Sequence, residues 1–113
     1  MRIVFREVKG VTVLELHGRV TIGDGADLLS ETVSDFIGRG KTKIVLDLGN
    51  VSYVDSIGLA EIVRCYTNVS SQGGKLKLLK ITKKIEYLLI FTRLRPVFEI
   101  YDTEEEAVAS FTA

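Results

Sequence analysis

Short apolar runs alternate with stretches of helical periodicity along the chain. Residues 2–8 and 11–17 are rich in β-branched and apolar types, and Lys9-Gly10 between them predicts a hairpin. In the second run Val11, Val13 and Glu15 share one face, and Thr12, Leu14 and Leu16 share the other. That imperfect alternation predicts a strand covered on more than one side, ended by Gly18. Residues 19–25 predict a loop, with Gly23, Asp24 and Gly25 as turn formers. Leu29, Val33, Phe36 and Ile37, with Leu28 beside them, predict a helix over 26–37, and Gly38-Arg39-Gly40 its stop. The unbroken Ile44-Val45-Leu46 core of residues 43–48 predicts a strand buried on both faces, as parallel strands are.

Gly49-Asn50 predicts the start of another loop, and residues 56–71 a second helix. Its apolar stripe is Leu59, Ile62, Val63, Tyr66 and Val69. Glu61, Arg64 and Asn68 fall on more polar positions. Gln72-Gly73-Gly74 closes it. Residues 75–80 predict a third core strand, and residues 82–91 a helix with Ile85, Leu88 and Leu89 inward. Pro96 marks a break before a short strand over 97–101. Thr103 and Glu106 have capping-box spacing, and Glu104 and Glu105 sit where a helix dipole favours acid. The order ββαβαβαβα predicts an α/β fold: a mostly parallel central sheet, an antiparallel N-terminal edge strand and about four helices. One domain over residues 1–113 is expected.

Composition narrows the function. The 15 basic and 15 acidic residues cancel, so the basic excess that duplex binding needs is missing, and direct nucleic-acid binding is not expected. No run approaches the roughly 20 apolar residues of a membrane helix. Charge interrupts the N-terminus too early for a signal-peptide core. A single cysteine, Cys65, forms no intrachain disulfide, which fits a reducing compartment. A cytoplasmic location is therefore expected, with no membrane association.

Enzyme chemistry finds little support. His17 is the only histidine and lies in a predicted strand, outside any motif. One Cys and one His cannot build a zinc site. Cys65 reads as a half-buried packing residue, with no base beside it. Gly23-Asp24-Gly25 begins like a dinucleotide loop, but residue 28 is Leu where glycine is needed. No catalytic residue, cofactor or metal is expected.

One segment stands apart: Asn50-Val51-Ser52-Tyr53-Val54-Asp55-Ser56-Ile57-Gly58-Leu59-Ala60-Glu61-Ile62. Asp55 and Ser56 fall where a helix begins, with its free N–H groups and positive dipole end. Either residue suits an ordinary N-cap. A phosphoryl group on Ser56 would also be tolerated there, bringing about −1.5 to −2 charge to a neutral patch. Capping and switching are compatible if one residue caps and its neighbour is modified.

Here the chain resembles the STAS family, and in particular the bacterial anti-sigma factor antagonists of SpoIIAA and RsbV type. The resemblance covers nearly the whole chain. It is carried by Leu16-His17-Gly18-Arg19, Ile44-Val45-Leu46-Asp47-Leu48, Val51-Ser52-Tyr53-Val54-Asp55-Ser56, Gly58-Leu59, Gly73-Gly74-Lys75-Leu76 and Val97-Phe98-Glu99-Ile100. It implies partner switching. The unphosphorylated protein binds an anti-sigma factor that is also a serine kinase of the GHKL type, and so frees a sigma factor. Phosphorylation of the motif serine, Ser56 here, weakens that complex, and a PP2C-type phosphatase reverses it. By the same resemblance Asp55 shapes the surface seen by the kinase. Gly58 is where a side chain would crowd the partner, and the Thr21 to Gly25 loop borders the contact face. Thr21, Gly23, Asp24, Asp55, Ser56, Ile57, Gly58 and Glu61 are the expected partner-binding residues, in a monomer or weak dimer.

One departure matters. The residue after the motif serine is usually Ser or Thr in the family, and here it is Ile57. Two alternatives therefore stand beside the switch: a STAS interaction subunit that is not itself switched, and a STAS domain that binds an anionic nucleotide or lipid at the helix start. The second is weakened because no basic residue follows Ser56 until Arg64.

Overall fold

Each predicted strand run found a place in one sheet, and the helices cover it on both sides. The structure is a computed structural model, and it describes residues 1–112. The order is β1 (Arg2–Val8), β2 (Val11–Val20), α1 (Ala26–Gly38), β3 (Lys43–Val54), α2 (Ser56–Ser71), β4 (Lys75–Leu79), α3 (Lys83–Phe91), a 3₁₀ turn (Arg95–Val97), β5 (Ile100–Tyr101) and α4 (Glu104–Ala109). The strands lie side by side in chain order. β1 and β2 are antiparallel, and the remaining neighbours are parallel.

The two-residue period of the strands divides the core. Leu14 and Leu16 of β2, Ile44, Leu46 and Leu48 of β3, and Leu76 and Leu78 of β4 join the larger cluster. Leu29, Val33 and Phe36 of α1 pack there with Leu59, Ile62, Cys65 and Val69 of α2, and with Ile85 and Leu89 of α3. The alternate residues Val11, Val13, Val45 and Leu79 meet Ala107 and Val108 of α4 on the opposite face. So three helices cover one face and the short α4 covers the other. That second cover buries Lys77, whose ammonium donates to Ser110 Oγ at 2.8 Å and pairs with Glu99 at 3.2 Å. A buried charge is tolerated because it is paired in this way.

Three expectations are corrected. β2 does not end at Gly18 but runs to Val20, and β3 does not end at Leu48 but runs through Gly49-Asn50 to Val54. The turn propensity of Gly49-Asn50 is overridden because β2 continues alongside, pairing His17 with Asn50, Gly18 with Val51 and Val20 with Val54. The register shifts between Glu15 and His17 and again between Gly18 and Arg19, so the glycines sit in bulges. Gly18 has φ +113°, which a residue with a side chain rarely adopts. The third correction concerns the last strand. It is only Ile100–Tyr101, because Arg95–Val97 forms a 3₁₀ turn behind Pro96.

The central strand should dominate stability. Leu46 is fully buried in the larger cluster. Leu46→Ala is expected to cost about 2–5 kcal/mol in chemical denaturation. A loss below about 1 kcal/mol would mean that the two-faced burial of β3 is overstated.

Candidate functional site

The lengthened β2 and β3 end together, at Val20 and Val54, and the next residues build the site. Asp55 has extended backbone angles, φ −90° and ψ −179°, and is the N-cap of α2. Its Oδ1 accepts the Gly58 N–H at 2.7 Å, as an N-cap does. Its Oδ2 accepts the Ile22 N–H at 3.0 Å, from the loop between β2 and α1. One carboxylate thus ties the loop to the helix start. The Gly58 bond first, then the Ile22 bond, holds the Asp55 carboxyl below the usual aspartate range.

Ser56 is the first residue of α2 and is exposed. Asp55 does the capping, so the Ser56 hydroxyl is not committed to it. Ile57 is exposed too, and its methyls face solvent rather than the core. Ile22 and Tyr53 add exposed apolar surface from the two segments flanking Asp55. Neither is among the partner-binding residues expected from the sequence. The available signals were an isoleucine set among loop glycines and a tyrosine at the outer end of a core strand.

The loop itself is tightly bonded. Thr21 N–H donates to the Asp24 carbonyl at 2.8 Å, and Asp24 N–H returns a bond to the Thr21 carbonyl at 3.1 Å. The Asp24 carboxylate pairs with the Met1 ammonium at 3.1 Å and with Arg19 at 3.2 Å. Those cations, the ammonium first, hold the Asp24 carboxyl below its usual range. Gly23 and Gly25 have φ of +75° and +101°, so the turn requires glycine at both. Thr21, Gly23 and Asp24 belong to the loop whose Ile22 N–H reaches Asp55, and the Asp24 carboxylate is engaged within that loop and with Met1.

Gly58 and Glu61 depart from expectation. Gly58 is buried, and a Cβ there would collide with the backbone carbonyl of Val20. Its missing side chain makes room for the end of β2. Glu61 does not lie on an outward polar position; it is only 8% exposed. Its Oε2 pairs with Arg64 at 3.2 Å, while Oε1 is buried without a hydrogen-bond partner.

Elsewhere the chemistry is quiet. His17 Nε2 lies 2.6 Å from Glu15 Oε2 on β2. Cys65 is fully buried rather than half-buried; burial first, then Glu61, pushes its thiol up to about 12, which makes it a poor nucleophile. Among the described residues no group of His, Cys, Asp and Glu is placed to hold a metal ion, and no helix is long and apolar enough to cross a membrane. A cleft of about 220 Å³ separates the end of β3 from α3, with Val51, Tyr53 and Val54 facing Lys84, Ile85 and Leu88. What the site offers chemically is one unengaged hydroxyl at a helix start, with exposed apolar side chains on the adjoining segments.

Two outcomes test this geometry. Gly58→Ala should destabilise the chain by roughly 1–3 kcal/mol or more, whereas Ile57→Ala should stay within about 0.5 kcal/mol. Equal melting temperatures for the two variants would contradict the Gly58–Val20 contact. Because folding lowers the Asp55 pKa, its carboxylate stabilises the fold above the ordinary aspartate value, and that contribution is lost as pH falls through the lower folded value. A carboxyl-carbon NMR titration should place the Asp55 midpoint below about 3.9. A midpoint at or above that value would remove the two N–H bonds from the account.

Comparison with known proteins identifies the family and the fold. The STAS domain family model matches residues 2–107. A putative anti-sigma factor antagonist of Thermotoga maritima is 34% identical over 105 residues, covering 92% of each chain. A crystal structure of a Thermotoga maritima protein of that description superposes with a TM-score of 0.91 at 32% identity, over 98% of this chain and 95% of the other. The anti-sigma factor antagonist SpoIIAA in its unphosphorylated form, at 20% identity, shares the fold with a TM-score of 0.76 over 99% of both chains, and SpoIIAA has also been solved phosphorylated. The chain belongs to the STAS domain family, and its relatives include proteins named anti-sigma factor antagonists.

Proposed function

We propose that this chain is an anti-sigma factor antagonist that works by partner switching in the cytoplasm. In its unphosphorylated form it binds an anti-sigma factor that is also a GHKL-type serine kinase. That kinase phosphorylates Ser56 and the complex dissociates; a PP2C-type phosphatase restores the binding form. The observation that carries this reading is the division of labour at the helix start. Asp55 caps α2, which leaves Ser56 exposed, with exposed Ile22, Tyr53 and Ile57 on the segments adjoining Asp55. Apolar surface of this kind favours a protein partner. A phosphate placed in it brings charge into a contact that needs desolvation, while the free N–H groups of the first turn accept the phosphate without unwinding the helix. The names of the relatives and the two solved forms of SpoIIAA support the reading.

The exposed Ile57 favours a second reading, an interaction subunit that is not switched, because the second hydroxyl common in the family is replaced by methyls. Titration calorimetry against the anti-sigma factor of the same organism separates the two. Ser56→Ala should bind as the native chain does, and Ser56→Asp should bind on the order of tenfold more weakly or worse. Equal affinity of the two variants would leave only the unswitched subunit.

A further inference from the structure

A second exposed apolar surface lies on α3, and the Ser56 site does not use it. Ile85 and Leu89 anchor one side of this helix in the core. On the outer side Tyr87 is 71% exposed, Ile90 55% and Phe91 91%. Lys83, Tyr87, Ile90 and Phe91 follow helical spacing, so one stripe carries them all. Isolated exposed apolar residues need no explanation, but three large ones on one helical stripe do.

Charge identifies the occupant. Between residues 80 and 95 the chain carries Lys80, Lys83, Lys84, Arg93 and Arg95 against a single acid, Glu86. The whole chain is neutral, so the remainder has an acidic excess. Among the described residues Arg95 reaches Glu86 at 3.9 Å, while Lys80, Lys83, Lys84 and Arg93 take part in no salt bridge. Lys83, Lys84 and Arg93 are exposed. Unpaired cations on long, flexible stems around a convex stripe of Tyr, Ile and Phe offer charge and apolar contact, with few fixed hydrogen-bonding groups. That combination suits a fluid, anionic lipid surface.

We propose that the outer face of α3 docks on an anionic lipid bilayer, with Tyr87, Ile90 and Phe91 entering the headgroup region and the surrounding Lys and Arg side chains lying at the phosphates. The core contacts of Ile85 and Leu89 hold the helix to the sheet, so the insertion is shallow. The charge asymmetry turns α3 toward the bilayer. This docking replaces the expectation of no membrane association and does not depend on phosphorylation of Ser56.

The test is co-sedimentation of the full chain with vesicles of equal parts phosphatidylcholine and phosphatidylglycerol, beside vesicles of phosphatidylcholine alone. Binding is expected to the first and to be much weaker to the second, and to weaken as salt is raised. Phe91→Ser, at a nearly fully exposed position, should lower the partition coefficient at least tenfold without changing the melting temperature. Lys83→Gln and Lys84→Gln should each lower it about fivefold. The proposal is overturned if the native chain stays in the supernatant with the anionic vesicles, or if Phe91→Ser sediments as well as the native chain. It is equally overturned if vesicles fail to bind while these variants lose affinity for the anti-sigma factor, since the face would then be a protein-docking surface.

Discussion

The carboxylate of Asp55 accepts one N–H from the first turn of α2 and another from the loop that precedes α1. A helix start left uncapped would draw on whatever polar group stood nearest, and Ser56 is the neighbouring hydroxyl. With both carboxylate oxygens engaged, the helix start is satisfied and the loop is fixed in the same stroke. Ser56 is then presented on a rigid base, with its hydroxyl available for chemistry. The account of this protein as a switch rests on that separation of structural and chemical roles.

The rigidity beneath it comes from the sheet. β2 and β3 pass through two register shifts and still finish together at Val20 and Val54. Bulges bend and re-aim strands, and here they carry the paired backbone to the edge of the site. The first turn of α2 then lies against the end of β2, close enough that Gly58 can carry no side chain. The site is thus built on the ends of two central strands rather than on a free loop. A modification there meets a surface already held in shape, so its effect is expected in the contact with a partner rather than in the fold.

Much of this was legible in the sequence, and the failures have physical causes. The Ile44-Val45-Leu46 run and the spacing of Leu29, Val33 and Phe36 set out a parallel sheet with helical cover, because burial on two faces or on one stripe leaves a clear period. The capping residue Thr103 could be placed from local spacing to Glu106. Gly49-Asn50 misled because turn propensity is local, whereas strand continuation there depends on pairing with residues 17–20 across the sheet. The burial of Gly58 was not legible because the collision its missing side chain avoids involves Val20, far away in sequence. Glu61 looked polar and outward on a helical wheel, but the packing around α2 buries it and leaves one oxygen unpaired. The exposure of Ile22 and Tyr53 was not legible because an apolar residue in one dimension reads as core.

The most direct test is an amide NMR comparison of the native chain with the chain carrying a phosphate on Ser56. The account predicts shift changes confined to residues 20–25 and 53–60, with the amides of β2, β3 and the rest of α2 unmoved and the melting temperature nearly unchanged. Shifts spread across the sheet, or an unwound first turn of α2, would contradict it, because Asp55 would then not be holding the helix start independently of Ser56.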